Sequence, residues 1–255
     1  MPLLPGNSRF SLHPTWLDLL ESHAAEFGEK TAFKFLQSGE EESEQISYRQ
    51  LQQRAKALAV RLRTVCVAGD RALLLYPSGL DFVTAFFSCR YAGVIAVPAY
   101  PPRANESIHR LKSIVADCDV RVALTTHGVL ATSTQLNGIN LGAPQRVLLA
   151  TDDTEAALAG DWRRPELGAD SLAFLQYTSG STGNPKCVML SHGNLLSNEE
   201  MIGQACRHDD SAKIVAGWLP LFHDMGLIGI ALQTLYSGMS GILMPPVAFL
   251  QKPLR

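Results

Sequence analysis

Three compact apolar runs, residues 72–76, 94–97 and 120–124, alternate with two stretches of helical periodicity. Few folds accommodate that order. Apolar runs without polar alternation suit strands covered on both faces. The first helical stretch begins near Ser78, carries Asp81 in the position of a capping-box partner, and ends near Gly93, a suitable C-cap. The second, residues 105–118, sets Ile108, Leu111, Ile114 and Val115 in one stripe. A strand–helix–strand–helix–strand order needs crossovers, and these give a parallel sheet with helices packed on its faces. The expected fold class is therefore α/β, with parallel-rich sheets and flanking helices.

Around that unit the pattern is local. Residues 14–27 read as a helix, with Trp16, Leu19, Leu20 and His23 at helical spacing. Residues 32–36 suit a strand. Glu40, Glu41, Glu42 and Glu44 follow, and such a run reads as a solvated turn. Ser47 opens a helix with Gln50 as its capping-box partner, and Leu51, Ala55, Leu58, Ala59 and Leu62 form its apolar stripe. Gly69 and Asp70 mark a turn, and Pro98 closes the strand at 94–97. Residues 125–170 are less regular, with a strand candidate at 146–149. No internal repeat or low-complexity tract is present.

Charge and cysteine usage narrow the function classes. A formal net charge of -2 gives no basic surface for nucleic acid. The cysteines, Cys66, Cys89, Cys118, Cys187 and Cys206, show no Cys-x-x-Cys spacing. They read as small buried side chains in a reducing cytoplasm rather than a disulfide framework or zinc site. The first residues lack the basic and apolar regions of a signal peptide. The most membrane-like stretch, residues 82–100, contains Arg90, Gly93 and Pro98, so it reads as a buried helix, a turn and a buried strand.

The densest chemistry lies between two strand candidates, residues 172–177 and 187–190. The connecting segment is Thr178-Ser179-Gly180-Ser181-Thr182-Gly183-Asn184-Pro185-Lys186, and Ser191 can cap a helix starting at His192. Gly180 and Gly183 permit backbone angles that let amides converge on an anion. Thr178, Ser179, Ser181 and Thr182 add hydroxyl donors, and Lys186 adds a charge. Only two residues separate the glycines, and the context is strand–loop–strand, so this is not the common Walker loop. By composition alone a flexible Ser/Gly hairpin fits equally well.

The ordered string from Tyr177 to Lys186 closely resembles the phosphate-loop signature of the adenylate-forming superfamily. That group includes acyl-CoA synthetases, luciferases, peptide-synthetase adenylation domains and fatty acyl-AMP ligases. A second string, Trp218-Leu219-Pro220-Leu221-Phe222-His223-Asp224-Met225-Gly226-Leu227-Ile228-Gly229, looks most like the fatty acyl-AMP ligases. The strings at residues 76–82 and 92–103 point the same way. Taken singly, His223 is more often a structural residue. Within this string the resemblance gives it a role orienting a carboxylate or gating an acyl tunnel. A helix from about Met225 would aim its amide-rich end at anions. Asp224 suits helix capping and substrate contact equally. Trp218 and Phe222 read as packing residues.

The resemblance implies a definite reaction and site. A fatty acid and ATP give an acyl-adenylate and pyrophosphate, with Mg2+ offsetting charge. Thr178, Ser179, Gly180, Ser181, Thr182, Gly183 and Lys186 would hold the nucleotide. Lys186 and His223 would be catalytic, and His223, Asp224, Met225 and Gly226 would meet the substrate. No protein ligand for a metal is singled out. The acyl group would pass to an acyl carrier protein or a polyketide or peptide synthetase module. The alternatives are an acyl-CoA synthetase using CoA, or a non-catalytic nucleotide- or acyl-binding module. The resemblance covers nearly the whole chain but about half of the family's length, so the expectation is the N-terminal part of the large adenylation domain. Subdomains are expected at roughly 1–170 and 171–255, with the remainder of that domain and a small C-terminal domain absent. The isolated chain is expected to be inactive or severely impaired.

Overall fold

The structure, a computed structural model, describes residues 13–102, 108–133, 136, 146–178, 185–208 and 213–254. Its centre is the sheet expected from the apolar runs. β3 (Arg71–Leu75), β4 (Ile95–Ala99), β5 (Val122–Thr125), β6 (Val147–Ala150), β7 (Leu172–Thr178) and β8 (Lys186–Ser191) form six strands in the order β6-β5-β3-β4-β7-β8. All neighbours are parallel except β7 and β8, which form an antiparallel hairpin. A second sheet holds β1 (Thr31–Leu36), β2 (Glu42–Ser47), β9 (Ile214–Gly217) and β10 (Ser240–Leu243), in the order β2-β1-β10-β9. Here β1, β10 and β9 are mutually parallel, and β2 returns antiparallel on β1. Both sheets take strands from either side of residue 170.

The helices follow their apolar faces. α1 (Trp16–Phe27) starts at Thr15 and α2 (Tyr48–Leu62) at Ser47, each through a reciprocal capping box. The α2 stripe of Leu51, Ala55, Leu58, Ala59 and Leu62 is buried throughout. α3 (Leu80–Ala92) is buried on nearly every side, which explains its membrane-like composition. Its Arg90 is sealed in the core, with the guanidinium 3.3 Å from the Phe86 ring centroid. Burial lowers the Arg90 pKa to about 9. Gly93 ends α3 in the left-handed region at φ 75°, where a side chain would be strained.

Four local expectations change. The acidic run is a solvated turn only in its first half: Glu40 and Glu41 lie in the exposed connection between β1 and β2, whereas Glu42 and Glu44 lie on β2, an edge strand whose outward side chains reach water, and Lys34 Nζ pairs with Glu42 at 2.7 Å. Ser78 does not cap α3; its hydroxyl accepts the Leu221 amide at 3.3 Å, and Gly79 precedes the helix without a side-chain cap. β4 runs through Pro98 to Ala99. It pairs with β7 at Ala96 and Phe174, and its register with β3 continues through Pro98, opposite Leu74, to Ala99. The third helix is α4 (His109–Asp117); the residues expected to start it, 105–107, lie outside the described residues. A short α5 (His127–Thr132) follows β5.

No helix among the described residues is long and apolar enough to cross a membrane. Cys66, Cys89 and Cys118 are buried as expected. Cys187 and Cys206 are exposed, because β8 is an edge strand and Cys206 follows the last turn of α6 (His192–Ala205).

Candidate functional site

In a parallel sheet, every strand delivers its following loop to the same edge. β3, β4 and β7 therefore present residues 76–79, Tyr100 and Thr178 along one carboxyl edge. Open α/β sheets place ligands there. Thr178 and Lys186 face each other in the β7–β8 register, and the Thr178 hydroxyl donates to the Lys186 carbonyl at 3.4 Å. The segment they bracket contains Ser179, Gly180, Ser181, Thr182 and Gly183, which lie outside the described residues.

The second sheet points its parallel strands into the same region. β9 runs into residues 218–223, β1 into Gln37, and β10 into Pro245 and Pro246. Together the two carboxyl edges enclose a cavity of about 460 Å3, lined by Phe35, Gln37, Ser78, Asp81, Tyr100, Pro220, Phe222 and Pro246 among others. Phe222 and Tyr100 meet edge to face with ring centroids 4.9 Å apart. Phe222 is thus a cavity wall as well as a packing residue. Trp218 packs as expected, stacked on Phe249 at 3.8 Å. Asp81, read only as a capping residue, lines the cavity. Desolvation, reinforced by Glu44 and Asp152, raises its pKa.

One bond ties the two candidate segments together. Gln176, two residues before Thr178, donates from Nε2 to the Phe222 carbonyl at 3.2 Å. Gln176 is buried, and its Oε1 has no partner among the described residues. Sequence reasoning did not single it out. The available signal was one amide side chain inside an otherwise apolar strand, since buried polar groups are costly unless bonded.

Residues 223–226 form a helix start built from the backbone outward. His223 is the N-cap of α7 (Asp224–Gly226), which continues through a π-turn, Leu227–Leu232, into α8 (Gln233–Tyr236). The Met225 amide donates to Asp224 Oδ1 at 2.7 Å and points towards His223 Nδ1 at 3.4 Å. His223 Nδ1 and Asp224 Oδ1 are 2.5 Å apart. The side chains of His223, Asp224 and Met225 are exposed and open to a ligand. Gly226 is different. It is buried, and a Cβ there would lie 2.2 Å from the Pro220 carbonyl oxygen. The close approach of that carbonyl is sufficient reason for glycine.

The arrangement sets a lysine and a hydroxyl at the mouth of a hairpin, beside a cavity with aromatic walls and a histidine-capped helix start. That defines an α/β protein with a cavity at the meeting carboxyl edges of two parallel-rich sheets. The chain belongs to the AMP-binding enzyme family, which it matches over residues 20–255. It is 39% identical over 245 residues to the medium-chain-fatty-acid–acyl-carrier-protein ligase JamA of Moorena producens, covering 94% of this chain and 41% of that relative. The fatty acid AMP ligase structure from Legionella pneumophila superposes with a TM-score of 0.88 at 37% identity, covering 97% of this chain and 42% of the other. A fatty acyl-adenylate ligase from L. pneumophila in complex with acyl adenylate and pyrophosphate gives a TM-score of 0.86 at 35% identity, with 97% and 42% covered. The chain thus spans about two fifths of the length of the relatives it matches.

Proposed function

We propose that this chain is the N-terminal part of a fatty acyl-AMP ligase. The observation that carries the reading is the junction of the Thr178–Lys186 hairpin mouth with the turn at residues 223–226, bridged by Gln176 and Phe222. The names of its relatives supply the substrate class. In this reading the carboxylate of a fatty acid attacks the α-phosphorus of ATP. The new bond is carboxylate oxygen to phosphorus; the bond that breaks joins that phosphorus to the bridging oxygen of pyrophosphate, which leaves with its electron pair.

Two anions must meet, so charge is the main obstacle. Thr178, Ser179, Ser181 and Thr182 offer hydroxyl donors, Gly180 and Gly183 free the loop backbone, and Lys186 adds a cation to hold the β- and γ-phosphates. His223 orients the carboxylate, with Asp224 fixing its ring and the Met225 amide facing the same turn. Gly226 lets that turn approach Pro220. Magnesium belongs to this reading as the counter-ion of the polyphosphate. Among the described residues no group of three or more His, Cys, Asp or Glu gathers to hold it.

The acyl group then passes to a carrier-protein thiol in the cytoplasm, where the free cysteines stay reduced. The chain spans about two fifths of the length of its relatives, so the activity belongs to a polypeptide of full ligase length. The test is acid-dependent ATP–pyrophosphate exchange by a polypeptide of full ligase length. Medium- to long-chain acids should support exchange, and the product assay should favour a carrier protein over CoA. Exchange with none of these acids refutes the reading, and preferential acyl-CoA formation replaces it with a CoA synthetase.

A further inference from the structure

Helix α6 carries a carboxyl group for which the adenylation chemistry has no use. Glu199 is 0% exposed. Its Oε1 has no partner, and no lysine or arginine pairs with it among the described residues. Burial alone pushes its pKa up to about 9. Such a group is costly to bury without a compensating contact. The contact it has is specific. With its amide oriented to satisfy both ends, Gln233 donates to Glu199 Oε2 at 2.5 Å and to the Glu199 carbonyl at 3.0 Å. The Gln233 oxygen accepts from His208 Nδ1 at 3.0 Å and from the Ser237 hydroxyl at 2.9 Å. Beside it, the Tyr236 hydroxyl donates to Glu200 Oε2 at 2.7 Å.

Gln233 is the first residue after the π-turn. A π-turn inside a helix is a rare geometry that usually needs outside support and often sits at functional sites. Here the support comes from α6. That helix is joined to β8 by the Ser191–Asn194 capping box, and β8 begins at Lys186. The π-turn in turn begins directly after Gly226. The Glu199–Gln233 contact therefore stands between the element that carries Lys186 and the one that carries His223.

We propose that Glu199 is a positioning residue of the adenylation site: by gripping Gln233 it fixes the register of the π-turn and holds residues 223–226 in place relative to Lys186. This rests on the ligase reading above. The titratable groups around the contact are His208 across Gln233, and Glu200 and Tyr236 on its flank. None gives a carboxylate at Glu199 a direct cationic partner, so loss of its proton leaves a buried charge met only by the Gln233 amide and destabilises the packing of α6 on this turn.

Hydrogen exchange on this chain tests the positioning. In Glu199→Leu, amides 227–236 should exchange about tenfold faster or more, with β3–β5 unchanged; in Glu199→Gln they should stay within about twofold of wild type. At pH 9.5 wild type should lose local protection that E199Q keeps. Unchanged exchange in E199L, or equal acceleration across the whole chain, overturns the proposal. In a polypeptide of ligase length, E199L should lower kcat for pyrophosphate exchange about tenfold with the KM for ATP nearly unchanged, and E199Q should restore it. A KM effect without a kcat effect also overturns it. A wild-type protein without exchange activity refutes the ligase reading instead, and the hydrogen-exchange result tells the two failures apart.

Discussion

Replacing Gly226 with alanine isolates the geometry on which the histidine turn depends. A Cβ at this position would lie 2.2 Å from the Pro220 oxygen, 2.7 Å from the Pro220 carbonyl carbon and 2.8 Å from the Leu219 oxygen. Ordinary contact begins at 3.4 Å, and all three obstacles are backbone atoms. The segment at 219–220 must therefore retreat by more than ~1 Å, an overpacking strain typically costing about 1–3 kcal/mol. Glycine to alanine in a helix would otherwise gain up to about 1 kcal/mol. The net expectation is a loss of roughly 1–2 kcal/mol, read by urea denaturation of the chain. Gly229→Ala is the control: nothing lies within 4 Å of its added Cβ. It should be neutral or stabilising. The displacement should also carry Phe222 and His223 away from Gln176, so a ligase-length G226A enzyme should lose adenylation activity beyond its loss of stability. A G226A chain as stable as wild type would refute the steric reasoning.

Other perturbations test separate parts. Lys186→Ala should lower adenylation more than His223→Ala, by a factor of about 10²–10³ if the lysine stabilises developing charge, and pyrophosphate exchange in the reverse order would reject these roles. Glu199 holds a proton in the folded state up to about pH 9, against an ordinary value of 4.5. Its stabilising contribution is therefore complete below about pH 4.5 and is lost as pH rises through about 9. Glu199→Gln should flatten that slope, and parallel wild-type and variant pH profiles in chemical denaturation would contradict it. Ser47→Ala removes half of a capping box and should cost about 1 kcal/mol in the same denaturation assay; no loss would mean water replaces the hydroxyl.

What was legible in the sequence was local. The Ser47–Gln50 cap, the stripe on α2, the Gly93 terminus and the strands at residues 172–178 and 186–191 each depend on residues a few positions apart. Glu42 and Glu44 misled because charge reports solvent, and an edge strand is as wet as a turn. Ser78 misled because its partner, Leu221, is far along the chain. The cavity was illegible for the same reason: Phe35, Asp81, Tyr100, Phe222 and Pro246 come together only when two sheets turn their carboxyl edges towards each other. The demand for glycine at 226 came from a carbonyl that the turn folds back onto it. Thr178, Lys186 and His223 are named from their strings, whereas Gln176, which joins those strings in space, is marked only by being an amide side chain in an otherwise apolar strand.

The most direct test is ATP–pyrophosphate exchange by a ligase-length polypeptide, with and without residues 179–184 and with a medium-chain fatty acid as substrate. Acid-dependent exchange that disappears when the loop is removed, while the fold survives by circular dichroism, is the expected result. Exchange at an undiminished rate after the deletion would contradict the claim that this hairpin mouth grips the nucleotide.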